Sequence, residues 1–258
     1  MSSTVASTAF AIAAVRADEA LRSPSERLFD DPYAALFAAA ADAEAAEGTR
    51  RFLDLPFFRD GIRLRTRFID DVLREALSQG ISQVVLLGVG FDARALRMPE
   101  LASPAVARIF EVDLAEQLET RRSLLDAAGV AVPPSVARVA CDFDAPELED
   151  TLTAGLVAQG FRPGVGTVFV WEGVTAYITR ASIDRSLAWM ARVAGPGGRV
   201  VFDFGHFSFD PEGAQEVIRR HGYCAFEEHG MDELWRRYLP GEAHENAWVA
   251  RMGVARAS

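Results

Sequence analysis

The chain has 258 residues with a formal net charge of −10, and half of its residues are hydrophobic. This is an ordinary globular composition, so it excludes wholesale disorder, and no apolar run approaches the ~20 residues that a bilayer-spanning helix needs. The excess of acidic residues argues against a nucleic acid or an anionic membrane surface as the main partner.

The first third of the chain is predicted to be helical. Pro24 ends a first helix, and Asp31 and Pro32 form a stop, with Asp31 as N-cap of the next helix. A third segment places apolar residues at amphipathic spacing and ends before Gly80. The predicted helices cover residues 4–22, 33–47 and 57–77.

From residue 83 onward, short apolar runs alternate with helical segments, which predicts a parallel sheet with helices on both faces. Strands are predicted over residues 83–87, 107–113, 136–140, 167–171, 199–204, 223–227 and 246–255. Helices are predicted over residues 93–98, 115–128, 146–159, 181–194, 212–221 and 231–239. The expected fold is therefore α/β, with a doubly wound, mostly parallel seven-stranded sheet.

Several residue types that carry common chemistries are scarce or absent. All 27 basic residues are arginine, which excludes a Schiff-base or phosphate-binding lysine. Cys141 and Cys224 are far apart and the four histidines show no metal-binding spacing, so neither a disulfide framework nor a metal is expected. Residues 1–15 lack a basic leader and a strong hydrophobic centre, and we expect a cytoplasmic protein.

Polar residues follow the predicted strands at the positions where ligands bind in an open parallel sheet. The strand ends carry glycines, carboxylates and one histidine: Gly88, Gly90, Asp92, Glu111, Asp113, Asp142, Glu172, Asp203 and His206. We expect this acidic rim to bind a ligand rich in hydroxyls and amines rather than phosphates.

The glycine turn at residues 88–93 fits the short dinucleotide fingerprint, although a tight turn that needs flexible backbone explains the pattern equally well. Asp92 would repel a pyrophosphate at the start of the following helix. It would attract a cofactor that carries an ammonium and a sulfonium, such as S-adenosylmethionine. Asp113 is expected to bind ribose hydroxyls and Asp142 the adenine amino group.

Five segments of the chain form an ordered set of motifs. They are QVVLLGVGFDARALR at 83–97, FEVD at 110–113 together with Asp142, WEGVTAY at 171–177, DPY at 31–33 and RTRFID at 65–70. In their order along the chain they resemble the leucine carboxyl methyltransferase-like family, whose members are class I S-adenosylmethionine-dependent methyltransferases. Two departures stand out: Gly-Val-Gly replaces the commoner Gly-Ala-Gly, and no family motif is matched after His206.

The resemblance implies one structural unit, in which residues 1–80 form a helical cap over a Rossmann-like core at 81–258. It implies S-adenosylmethionine as cofactor and S-adenosylhomocysteine as product. Arg65 would hold the methionine carboxylate, although Arg63 and Arg67 are alternatives and each could lie on a solvated helix face. The candidate cofactor-binding residues are Arg16, Arg65, Gly88, Gly90, Asp92, Asp113, Leu114, Asp142, Phe143 and Glu172.

The implied activity is O-methylation of a carboxylate or hydroxyl, either on a small molecule such as a polyketide-like metabolite or at a peptide C-terminus. A carboxylate acceptor needs no base, whereas for a hydroxyl His206 is the candidate base. Tyr177 is the candidate acceptor contact. Alternatively, Tyr177 packs between a strand and a helix, and His206 is an ordinary loop residue without a catalytic role. An NAD(P)-dependent oxidoreductase and a non-catalytic binding module remain rival functions, and we expect a monomer or homodimer.

Overall fold

A seven-stranded sheet lies at the centre of the computed structural model, which describes residues 3–55, 57–102 and 108–258. The strands are β1 (Gln83–Leu87), β2 (Arg108–Asp113), β3 (Val136–Ala140), β4 (Thr167–Trp171), β5 (Arg199–Gly205), β6 (Ala225–Gly230) and β7 (Ala250–Arg256). Their order is β3-β2-β1-β4-β5-β7-β6, with β7 antiparallel to both neighbours. The predicted α/β, mostly parallel seven-stranded sheet is confirmed, and Ala107, predicted to begin β2, lies outside the described residues.

Helices cover both faces of the sheet, and the first four of those described precede its first strand in the chain. They are α1 (Ser3–Ala20), α2 (Ala34–Ala38), α3 (Ala43–Leu53), α4 (Phe58–Ser78), α5 (Arg94–Arg97), α6 (Ala115–Ala127), α7 (Leu148–Ala158), α8 (Arg180–Val193), α9 (Ala214–Arg220) and α10 (Met231–Tyr238). Within the described ranges, no helix combines the length and apolar character needed to cross a membrane.

The strand predicted over 223–227 lies at Ala225–Gly230. Three other differences from the predictions have a local cause, a side-chain hydrogen bond or a turn. The helix expected over 33–47 is two helices, since the Asp42 side chain accepts a hydrogen bond from the Ala45 N–H (2.9 Å) and caps α3. Asp31 accepts from the Tyr33 N–H (3.2 Å) in a turn and is not the N-cap of α2. The last strand begins late, because a 3₁₀ turn at Ala247–Val249 precedes β7.

Apolar side chains on the two faces of the sheet form two cores. Every residue of β1 and β4 is buried, as expected where alternate side chains point to opposite faces that are both covered. On one face α4 contributes Leu64 and Leu73 to the core that contains Leu86. On the other face α7 and α8 pack over Val85 and Phe169. Helix α4 is therefore a layer on the sheet, and the domain boundary at residue 80 stays a prediction.

The strand order places the ligand-binding edge of the sheet at β1 and β4. From β1 the chain winds outward through β2 and β3, then crosses to β4 and β5 on the other side. Ligands bind beyond the carboxyl ends of parallel strands at such a reversal. The ends of β1, β2 and β4 therefore define where the site should lie.

Candidate active site

A cavity of about 260 Å³ lies at the carboxyl ends of β1 to β4, with residues of α1 and α4 in its wall. All ten predicted cofactor-binding residues line it: Arg16, Arg65, Gly88, Gly90, Asp92, Asp113, Leu114, Asp142, Phe143 and Glu172. The partly exposed Tyr177 lines it as well. The structure thus brings these side chains together, while their binding roles stay predictions.

The glycine turn after β1 is tightly held against its surroundings. The backbone N–H groups of Gly88 and Val89 both donate to the Val112 carbonyl of β2, at 2.8 and 3.0 Å. Gly88 has a φ of +67°, and a Cβ there would lie 2.3 Å from Cγ2 of Val174. Glycine is therefore required at this position by backbone conformation and by close approach.

Asp113, at the end of β2, is fixed in place by backbone donors. Its Oδ2 accepts from the Gly90 N–H (2.7 Å) and its Oδ1 from the Leu114 N–H (2.8 Å). Burial raises the pKa of the Asp113 carboxyl, and these two N–H groups partly offset that rise. The carboxylate links the glycine turn to the start of α6 and keeps lone pairs for a ligand hydroxyl.

Glu172, after β4, is surrounded by three guanidinium groups. Arg16 and Arg65 each donate to its Oε1 at 2.8 Å, and Arg94 donates to its Oε2 at 2.6 Å. Arg65 also donates to Oδ2 of Asp203, 2.9 Å away. Burial opposes ionisation of Glu172, but Arg16, Arg94 and Arg65 together outweigh it and hold the pKa of its carboxyl well below the ordinary value.

Arg94 is the centre of this charge cluster and was missed by the sequence analysis. It is fully buried, and besides Glu172 it donates to Asp70 (2.7 Å), to the Thr66 carbonyl (3.2 Å) and to Asp92. The charge on Asp92 is therefore paired with an arginine two residues away. The argument that a free Asp92 charge selects the cofactor was wrong. The signal for Arg94 was its position two residues after Asp92 in the first motif.

The three candidate arginines of α4 have different surroundings. Arg63 donates to Glu19 at 2.6 Å and Arg67 to Asp71 at 3.0 Å, and neither lines the cavity. Arg65 does line it. Residues two apart on a helix point about 200° apart, so one arginine faces the sheet edge while its neighbours face away. Arg65 is therefore the cavity arginine among the three.

His206 lies outside the cavity, contrary to the expectation that it faces the acceptor. Strand β5 continues its antiparallel pairing with β7, and the His206 N–H donates to the Val249 carbonyl (3.0 Å). The exposed ring accepts at Nδ1 from Arg251 (3.1 Å) and packs edge-on against Trp248. This pairing carries His206 away from the ends of β1 and β4, and its role as base has no support in the structure.

Glu111 also departs from the predicted acidic rim. It is buried and accepts from Arg121 of α6 at 2.8 Å, so its charge is satisfied inside the fold. Asp142 is exposed and its Oδ1 accepts from the Asp144 N–H (2.9 Å), which leaves its other oxygen at the cavity edge. The rim of the cavity therefore consists of fewer free carboxylates than the strand ends suggested.

Known proteins are similar to this chain in sequence over most of its length. The sequence profile described as leucine carboxyl methyltransferase matches residues 9–191. A protein of Streptomyces avermitilis assigned as an S-adenosyl-L-methionine-dependent methyltransferase is 36% identical over 255 residues, which is 95% of this chain and 77% of that protein. One of Frankia alni, assigned in the same way, is 36% identical over 201 residues, covering 76% of this chain and 68% of the relative.

Solved structures share the fold at low sequence identity. A DUF574 family protein from Streptomyces avermitilis has a TM-score of 0.58 and 13% identity, covering 95% of this chain and 97% of its own. A protein from Thermobifida fusca, whose structure carries a methyltransferase assignment, has a TM-score of 0.55 and 15% identity, covering 84% and 89%. At this identity the likeness concerns the fold alone.

Proposed function

The chain belongs to the leucine carboxyl methyltransferase family of S-adenosylmethionine-dependent enzymes, and from that premise we propose that it methylates a carboxylate oxygen of a small molecule or of a peptide C-terminus. S-adenosylmethionine is the cofactor, and S-adenosylhomocysteine is the product left by methyl transfer. An NAD(P)-dependent oxidoreductase and a non-catalytic binding module, both considered from the sequence, are therefore excluded.

The cavity has the features that this cofactor requires. Gly88 lines the cavity, and the lack of a Cβ there lets Val174 pack against the glycine turn. Asp113 offers a fixed acceptor for ribose hydroxyls. Glu172 and its arginines present both signs of charge, as an amino-acid group with an ammonium and a carboxylate needs.

We assign binding roles from these positions. Glu172 would accept from the methionine ammonium, and Arg65 and Arg16 would donate to the methionine carboxylate. Asp142 and Phe143 would contact the adenine, and Leu114 would pack beside it. When bound, the cofactor supplies an electrophilic methyl group on a sulfonium, and the protein's task is alignment of the acceptor and exclusion of water.

The observation that carries the carboxylate proposal is that Asp92, Asp113 and Glu172 in the cavity wall already accept hydrogen bonds from protein donors. As far as the structure describes it, the wall contains no histidine and no cysteine. Glu172 is held ionised by three arginines, and its depressed pKa makes it a weak proton acceptor. A carboxylate acceptor is already anionic and needs no base, whereas an alcohol does. Tyr177 remains positioned to contact the acceptor.

The nature of the methylated oxygen can be tested with methyl-labelled cofactor. A panel of carboxylic acids is offered, each matched with its primary amide and its alcohol. We expect label to enter acids alone and to be released as methanol by mild alkali, as methyl esters are. Because carboxylic acids with a pKa of about 4 are fully ionised, the rate should not rise with pH between about pH 7 and about pH 9.

A different result would assign a different acceptor. Alkali-stable methyl ethers formed from the alcohols, with a rate that climbs as the pH approaches the hydroxyl pKa, would contradict carboxylate methylation. Methylation of the amides at nitrogen would do the same. Binding of S-adenosylhomocysteine, followed by calorimetry in parallel, verifies that each preparation is competent.

Arg65→Ala is expected to weaken binding of S-adenosylhomocysteine by about 1–3 kcal/mol, the range for losing a hydrogen bond to a charged group. Arg65→Lys should recover part of the loss, because an ammonium cannot reproduce the bidentate guanidinium fork. Calorimetric titration at one salt concentration measures both, since exposed charges are screened. Arg59→Ala is the matched control, because Arg59 pairs with Asp18 at the surface. Equal dissociation constants for the two alanine variants would remove Arg65 from the cofactor site.

A further inference from the structure

Gln117 is a buried amide with no hydrogen-bond partner among the described residues. It lies in the first turn of α6, is 3% exposed and lines the cavity. Neither its Oε1 nor its Nε2 is paired. Buried polar groups are nearly always hydrogen-bonded, because an unpaired one lowers the stability of the folded state. An amide at this place is therefore explained by a ligand that completes its hydrogen bonds.

The position of Gln117 defines which part of a ligand it meets. Its N–H donates to the Leu114 carbonyl (3.0 Å), so it is within one helical turn of Asp113. Both residues line the cavity, Asp113 at the end of β2 and Gln117 in the first turn of α6. Asp113 can only accept, whereas an amide both donates and accepts. Together they match two neighbouring hydroxyl groups, each of which can donate and accept.

We propose that Gln117 binds the ribose diol of S-adenosylmethionine together with Asp113. One hydroxyl donates to the Asp113 carboxylate and accepts from the Nε2–H of Gln117, and the other donates to Oε1 of Gln117. The cost of the unpaired amide is then borne by the ligand-free protein and relieved on binding. This arrangement makes the enzyme selective for ribose over deoxyribose in its cofactor.

The substitution Gln117→Met tests the proposal because it keeps the length of the side chain and removes its hydrogen-bonding atoms. We expect S-adenosylhomocysteine to bind about tenfold more weakly. The melting temperature of the ligand-free variant should be unchanged or higher, because an unpaired polar group has been replaced by an apolar one. Gln215→Met, at an exposed position of α9, is the matched control and should change neither measurement.

The same variant is then titrated with the 2′-deoxy and 3′-deoxy analogues of S-adenosylhomocysteine. In the native protein each missing hydroxyl should weaken binding by about tenfold. In Gln117→Met this loss of affinity should shrink at least threefold for one of the two analogues, because the amide that bound the missing hydroxyl is already gone. A second variant, Gln117→Glu, keeps the acceptor and loses the donor, and gives the same comparison if the methionine variant does not fold.

Three outcomes would overturn the proposal. Unchanged affinity for S-adenosylhomocysteine would show that Gln117 makes no contact with it. If each deoxy analogue loses as much affinity in the variants as it does in the native protein, Gln117 contacts another part of the ligand. A lower melting temperature of ligand-free Gln117→Met, with affinity retained, would assign the amide a purely structural role. Each outcome is independent of the acceptor, so failure here leaves the carboxylate proposal standing.

Discussion

Replacing Arg94 with alanine is expected to lower the free energy of unfolding by about 3–5 kcal/mol, the cost of removing one partner from a buried ion pair. Arg94 is fully buried and donates to Asp70, Asp92 and Glu172, so the substitution leaves three carboxylates without their shared cation. A typical domain has only about 5–15 kcal/mol of stability, so the variant would be marginal. Urea unfolding of the ligand-free protein measures the change.

Arg122→Ala is the matched control for Arg94→Ala. Arg122 pairs with Glu119 and Asp126 on the outer face of α6, and all three side chains are about half exposed. Exposed pairs of this kind contribute about 0–1 kcal/mol. Similar losses for the two variants would mean that the buried cluster contributes no more than a surface pair, and would contradict the central role of Arg94.

Gly88→Ala is expected to weaken binding of S-adenosylhomocysteine by about hundredfold. The added Cβ would lie 2.3 Å from Val174 Cγ2, at a residue with a φ of +67°, so the turn that faces the cofactor must move. Forcing an extra methyl group into a packed site costs about 1–3 kcal/mol, and the upper part of that range corresponds to this change in affinity. Calorimetric titration of the purified variant gives the dissociation constant.

Gly80→Ala separates the backbone effect from the contact. Gly80 has a φ of +88°, and a Cβ there would meet nothing within 4 Å. This variant bears only the left-handed backbone penalty of about 1–2 kcal/mol in stability, and its cofactor affinity should be native.

Adding Val174→Ala to Gly88→Ala should restore part of the lost affinity. Native-like binding by Gly88→Ala alone would show that the turn tolerates displacement.

The regular elements could be predicted from the sequence because the signals that define them are local. Apolar runs next to glycine predicted β1 and β4 with their observed bounds, and the valine-rich stretch before Asp142 did the same for β3. The helix over 33–47 could not be predicted correctly. Whether the carboxylate of Asp42 bonds to the backbone three residues ahead depends on the conformation that the chain adopts there.

The candidate cofactor residues could also be located, because this fold brings residues that are distant in the chain together at predictable places. Residues that directly follow parallel strands meet at one edge of the sheet, and the motif order resembled a family with a known site. Gly88, Asp113 and Glu172 therefore line one cavity, although 84 residues separate the first from the last in the numbering of the chain. Chain order and strand periodicity were sufficient for these three residues, whereas Arg16 and Arg65 were implied by the family resemblance.

Only the tertiary structure decided which charges are paired. Arg94 meets Glu172 across 78 positions and Arg65 meets it across 107, and no local pattern encodes such contacts. Arg94 also donates to Asp92, two residues before it, while the pairing of β5 with β7 carries His206 away from the cavity. The sequence by itself determined the order of the strands along the chain and the residues at their ends. Side-chain ionisation, partner choice and the unpaired amide of Gln117 depend on packing between distant segments, which exists only once the chain has folded.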